Sequence, residues 1–230
     1  MRATTVRIVL PAVVLTGVVG AAGLTQVLAE ADSAPPPASA LTQGTPAPDP
    51  GSVQASAALG LLRIDYHYER QGRSASNQYA IWIEDEAGDY VASVFATSWI
   101  GHGGYTRRPM GIPTWRGKAN WAEATQAQIE AVVRPVPGTG DQVIYWNGLD
   151  AQGAPVPSGT YRVRIEGNVE WERMVEFSAS FTVGTEASEV TAEEVRNDQP
   201  EDRMISGVRV SFLPGEPLTT DMVTEYTRGS

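Results

Sequence analysis

Trp146 to Tyr161 reads W-N-G-L-D-A-Q-G-A-P-V-P-S-G-T-Y, and its residue types specify a strand, a turn and a second strand. Val143, Ile144, Tyr145 and Trp146 are β-branched or aromatic, which suits a pleated, half-buried surface. Asn147-Gly148 and Asp150-Ala151-Gln152-Gly153 are turn formers, because Asn and Asp bond nearby backbone and Gly takes positive φ without steric cost. Pro155 and Pro157 lack backbone donors and belong in a loop or at a sheet edge. Beyond Ser158-Gly159, Tyr161, Val163 and Ile165 alternate with Arg162 and Arg164, the period of two of a half-buried strand.

The same period recurs on both sides. Leu62, Ile64, Tyr66 and Tyr68 alternate with Arg63, Asp65, His67 and Glu69. Tyr79, Ile81 and Ile83 alternate with Ala80, Trp82 and Glu84, and Glu86-Ala87-Gly88-Asp89 turns the chain into a strand expected over Tyr90 to Trp99. Downstream, Val175, Phe177, Ala179, Phe181 and Val183 alternate after a turn at Glu172-Arg173, and Val208, Val210 and Phe212 face inward from a last strand over Ile205 to Leu213. The pattern predicts an all-β fold, a sandwich with one long loop and one short helix. The helix is expected over Trp121 to Val133, capped by Asn120 and ended by Pro135.

Four further segments complete the organisation. Residues 1–29 read as a signal peptide: Arg2 and Arg7, an apolar run from Ile8 to Leu24, then Val27 and Ala29 before a cleavage point. The rival reading is a retained N-terminal membrane anchor. Residues 30–52 are a Pro/Ala-rich linker expected to be disordered, and the sandwich domain spans 53–215. Within it, 184–203 is expected as an acidic connection, and 216–230 as a flexible tail. These signals place the chain in the periplasm or outside the cell, with no membrane insertion after cleavage, as a monomer.

Composition narrows the function. The chain has 230 residues, a formal net charge of −10 and no cysteine, so neither a disulfide framework nor a thiolate metal site is available. Such a charge opposes binding to nucleic acid. Only His67 and His102 are present, short of the three or four ligands that zinc requires. Glu84, Asp85, Glu86 and Asp89 do not match the spacing of a calcium loop and read as a solvated turn. Ser98, Ser158 and Ser180 lack the elbow or base of a nucleophile, and no Gly-rich dinucleotide fingerprint follows a strand. No catalytic, cofactor-binding or metal-binding residue is therefore assigned.

What remains is the loop G-H-G-G-Y-T-R-R-P-M-G-I-P-T-W-R-G-K at 101–118, which holds four basic residues and no acid within an acidic chain. Long ordered loops carry function more often than strands do. Tyr105, Arg107, Arg108 and Trp115 are its candidate binding residues, with Trp99, Trp121 and Arg116 nearby, suited to a planar or anionic ligand. The competing reading has the tryptophans covering the sandwich and the arginines pairing with acids.

Two resemblances add to this. Trp146, Gly148, Asp150, Gly153, Pro157, Gly159 and Tyr161 resemble the Trp-x-Gly-x-Asp…Gly…Pro-x-Gly-x-Tyr signature of the immunoglobulin-like domain in flagellar hook-capping proteins, a structural signature shared by many secreted bacterial sandwiches. It implies an immunoglobulin-like fold, with Trp146 and Tyr161 as core and corner residues. Second, A-I-W-I-E-D-E-A-G-D-Y-V-A-S-V-F-A-T-S-W at 80–99, with R-R-P-M-G-I-P-T-W at 107–115, resembles the predicted periplasmic proteins called domain of unknown function 2271 (DUF2271), over about residues 55–215. That resemblance implies export and a β-sandwich, and no known reaction. It also implies, in many members, a D-x-x-T-G-A-T-like segment before the Trp-to-Tyr signature, similar to an acceptor for covalent flavin. Here the segment is Glu130-Ala131-Val132-Val133-Arg134-Pro135-Val136, without the threonine. The reading is an exported, non-enzymatic binding or structural accessory domain without a cofactor, whose partner is a protein or a small molecule. The alternatives are an accessory of an extracytoplasmic redox or iron-uptake system, flavin- or haem-related, and a carbohydrate-binding module.

Overall fold

The computed structural model describes residues 59–72, 77–170, 172–198, 200–201 and 203–223. The leader and linker expected over 1–29 and 30–52 lie outside the described residues, as does the end of the tail.

Among the described residues, ten strands form two sheets. The strands are β1 (Gly60–Tyr68), β2 (Gln78–Asp85), β3 (Tyr90–Thr97), β4 (Val133–Arg134), β5 (Gly140–Trp146), β6 (Gly159–Glu170), β7 (Arg173–Val183), β8 (Ser188–Thr191), β9 (Glu193–Asn197) and β10 (Ile205–Pro214). One sheet has the order β5-β1-β10-β8 and the other β4-β3-β2-β6-β7-β9. All neighbours are antiparallel except β3 and β4. The fold is mostly β, two sheets packed as a sandwich around one apolar core. Leu62, Ile64 and Tyr66 of β1 meet Ile81 and Ile83 of β2, Val163 and Ile165 of β6, and Phe177 and Phe181 of β7. The alternation in each strand determines which side chains enter that core.

The signature stretch joins the sheets. Trp146 ends β5 with its ring fully buried, 6.2 Å from the ring of Tyr161 and 6.1 Å from that of Phe181. The Trp146 Nε1–H donates to the Leu149 carbonyl at 2.8 Å. Asp150 organises the turn, its Oδ1 accepting the amides of Gln152 and Ala154, each at 2.9 Å. Gly148 and Gly153 sit at φ of 75° and 81°, the left-handed region in which a Cβ is strained. The Tyr161 hydroxyl donates to the Pro157 carbonyl at 2.9 Å, which fixes the loop entering β6 at Gly159.

A third layer covers the outer face of the six-stranded sheet, and here several expectations change. The strand expected to reach Trp99 stops at Thr97, and the chain enters helix α1 (Ser98–Gly101). The stretch expected as a loop over 101–118 contains a 3₁₀ turn at Gly104–Thr106 and helix α2 (Pro113–Lys118). The helix expected over Trp121 to Val133 is split into a 3₁₀ turn at Trp121–Glu123 and helix α3 (Gln126–Val132). Thr125 caps α3 instead of Asn120. Its hydroxyl accepts the Gln128 amide while the Gln128 side chain accepts the Thr125 amide, a reciprocal capping box. Asn120, at φ 46°, instead opens the 3₁₀ turn at Trp121–Glu123 from the left-handed region that Asn tolerates, its carbonyl accepting the Glu123 amide. The acidic stretch 184–203 also departs from expectation, because it supplies β8 and β9, one edge strand for each sheet. Charged edge strands discourage pairing with other chains, and that charge hides the alternation that would announce a strand.

Candidate functional site

The helical layer rests on a face that the sequence makes apolar. Ala80 and Trp82 of β2 and Ala96 of β3 point away from the inter-sheet core and pack with Ile100, Ile112, Trp115, Trp121, Val132 and Val133. Trp115 and Trp121 lie with ring centroids 4.6 Å apart. Their ring nitrogens donate inward, from Trp115 to Ser93 Oγ at 2.8 Å and from Trp121 to the Gly101 carbonyl at 3.0 Å. Burying an indole without such a partner would cost free energy. Of the four sequence-derived binding candidates, Trp115 is therefore interior: its side chain is fully buried, and it supports the layer from beneath instead of meeting solvent.

Two buried carboxylates fasten the layer to the sheet. Glu166 of β6, only 1% exposed, accepts the backbone amides of Thr114 at 3.2 Å and Trp115 at 2.8 Å, at the start of α2. Burial raises its pKa, and the two amide bonds oppose that rise. Glu84 of β2 accepts the Trp82 Nε1–H at 3.0 Å and lies 3.6 Å from Lys118 Nζ and 4.0 Å from Arg162 Nη1. The Lys118 ammonium also reaches the Gly88 carbonyl. Lys118 thus ties the end of α2 to the β2–β3 turn, where Asp85 Oδ1 already accepts the Asp89 amide at 2.8 Å. At the far end of the layer Arg134 donates to the carbonyls of Glu130 and Ala131 at 2.8 Å, stabilising the last turn of α3. Glu84, expected in a solvated turn, is instead buried at 5% exposure beneath the layer, and Glu166 does not stand out in the sequence. The available signal for Glu166 is its register opposite Ala80, a position whose strand is apolar on both faces.

The exposed part of the layer is a knuckle between α1 and α2. Trp99 is 38% exposed and Met110 49%. Gly104 lies flat against the Trp99 indole, since a Cβ there would fall 2.3 Å from the ring. Trp99, Gly103, Gly104, Thr106 and Arg107 line a shallow hollow of about 350 Å³. Tyr105 is half-buried, with the Arg116 guanidinium 4.7 Å from its ring centre. Arg116 also donates to the carbonyls of Gly111, at 2.8 Å, and Pro109, so it braces the knuckle. Arg107 is exposed and Arg108 half-buried. His102 is held by its own helix, its Nδ1 lying 2.8 Å from the Ser98 carbonyl oxygen. Ile112, at φ 47°, is a strained β-branched residue held in place by complete burial just before Pro113.

The geometry defines a class, a two-sheet β domain carrying a small helical layer on one face. The chain belongs to the DUF2271 family, described as a predicted periplasmic protein, whose sequence profile matches residues 63–197. No curated protein and no solved structure matches the chain. Among the described residues, no helix is long and apolar enough to cross a membrane.

Proposed function

We propose that this is an exported, immunoglobulin-like binding domain that presents the knuckle formed by Trp99, Tyr105, Arg107, Arg108 and Met110 to an acidic protein partner. The observation that carries the reading is the exposure of Trp99 and Met110 beside Arg107 on a buried, well-braced base. Trp, Tyr, Met and Arg are the residue types enriched where protein interfaces hold their binding energy. The base is pre-organised by Glu166, Arg116 and the Trp115–Trp121 pair, which reduces the ordering cost of binding. Basic residues concentrated in 101–118 favour an acidic partner, while the net charge of −10 repels other acidic surfaces. Binding is preferred to catalysis because the His102 ring and the Glu84 and Glu166 carboxylates are all engaged by neighbouring groups. The export assignment rests on the family description and on the leader read in residues 1–29.

The test places a photo-crosslinking residue at Arg107 in the exported protein, with a second at Ser180 on the far strand as control. A discrete crosslinked protein from position 107 that disappears with Trp99→Ala/Arg108→Ala, at unchanged melting temperature, supports the proposal. Equal crosslinking from both positions contradicts it.

A further inference from the structure

A second hollow shares no lining residue with the one beside Trp99. It lies between β3, α3 and the signature turn, and has a volume of about 420 Å³. That is within the usual range for a small-molecule site and suits a compound of one or two rings. Its size comes from small side chains: Ala127 and Ala131 one turn apart on α3, and Ala151 on the turn. The turn itself is fixed, because the Ala151 amide donates to the Val91 carbonyl at 2.9 Å and Asp150 closes the loop internally. The hollow is therefore built into the fold.

Its chemistry is specific. Two aromatic residues line it, Tyr90 and Trp121. The polar end of each is engaged inside the protein, the Tyr90 hydroxyl with Ser93 Oγ at 2.9 Å and the Trp121 ring nitrogen with the Gly101 carbonyl. Both rings are left to interact through their apolar and π surfaces. The lining carries two carboxylates, Glu123 and Asp150, and no lysine, arginine or histidine. A negatively charged ligand would find no counter-charge there. A cation would find both carboxylates and the rings.

We propose that this hollow is a binding site for a small organic cation with an aromatic or apolar body, an aryl-alkyl ammonium in chemical terms. The body lies among the alanines and the rings of Tyr90 and Trp121, and the ammonium meets Glu123 and Asp150 at the rim. The site is independent of the knuckle, so either proposal stands if the other fails.

The experiment uses the full chain and three probes of matched shape: phenethylammonium, 2-phenylethanol and phenylacetate. Binding is read from tryptophan fluorescence and from the Trp121 indole N–H resonance. The expected order is phenethylammonium first, 2-phenylethanol weaker, and phenylacetate weaker than phenethylammonium by roughly tenfold or more at low salt. Ala127→Trp, which fills the hollow from an exposed helix position, removes binding of every probe. Glu123→Gln weakens phenethylammonium alone, by about two- to fivefold, and leaves 2-phenylethanol unchanged. Phenylacetate binding as tightly as phenethylammonium would overturn the charge preference. Absence of binding by all three, or binding that survives Ala127→Trp with the fold intact, would overturn the site.

Discussion

The two outer faces of the sandwich are built from the same alternating strands and end in opposite conditions. On the four-stranded sheet, β1 turns Arg63, Asp65 and His67 outward beside Asp141 and Arg209, and this face stays open to water as a polar trough. Its side chains pair along the surface, Arg63 with Asp65 at 2.7 Å and His67 with Asp141 at 2.8 Å. On the six-stranded sheet, the outward positions of β2 and β3 are Ala80, Trp82 and Ala96, and a helical layer covers them. A sheet apolar on one face can meet water, and a strand apolar on both needs a lid. The difference shows how the second-face residues of a strand decide whether the following sequence becomes a loop or a layer.

The largest expected effect breaks that comparison at its centre. Trp82→Ala under the lid should cost about 3–5 kcal/mol in urea unfolding, while Arg209→Ala on the open face should stay within about 0.5 kcal/mol. Trp146→Ala, in the core between the sheets, should cost as much as Trp82→Ala, which would place both sides of the six-stranded sheet on an equal footing. A middle-sized effect belongs to Glu166. Its folded pKa lies above the ordinary 4.5, so the proton is held more tightly in the folded state. Its contribution to stability is then fully present below the unfolded pKa and is lost as pH rises through the folded value. The stability of the wild type relative to Glu166→Gln should accordingly decline as pH is raised above about 4.5, and a pH-independent difference would contradict the assignment. The smallest effect lies on the open face. The hydrogen bond to Asp141 holds the His67 pKa above 6.5, so that pairing favours the fold below 6.5 and loses its contribution as pH rises through the raised value. Asp141→Asn should lower the His67 titration midpoint seen by proton NMR, with little change in melting temperature.

Much of the sandwich is legible in the sequence, because a period of two assigns each side chain to a face without knowledge of its partner strand. Leu62 to Tyr68, Tyr79 to Ile83 and Val208 to Phe212 all enter the core from the side their alternation indicates. The helical layer is less legible. Gly101, Gly103, Gly104 and Gly111 with Pro109 and Pro113 read as a loop, and α2 is too short to show helical periodicity. What holds it down is long-range: Glu166, more than 50 residues away in the chain, receives its first amides. Trp82 carried a usable signal, since an alanine and a tryptophan on the outward side of one strand require a cover. Trp115 is ambiguous in the sequence, because a tryptophan among glycines and arginines suits a contact residue as well as a cover, and its complete burial favours the cover. The small edge strands β8 and β9 were hidden by charge, with Glu189, Glu193 and Glu194 at positions where an apolar residue would have announced a strand.

Residues 98–132 form a folded layer on the six-stranded sheet. Hydrogen exchange measures that layer at the Trp115 backbone amide, bonded to Glu166, and at the Trp115 and Trp121 ring nitrogens, bonded to Ser93 and Gly101. Protection within about tenfold of the amides of β2 beneath them is expected. Exchange at the rate of an unstructured loop, while β2 stays protected, would contradict it.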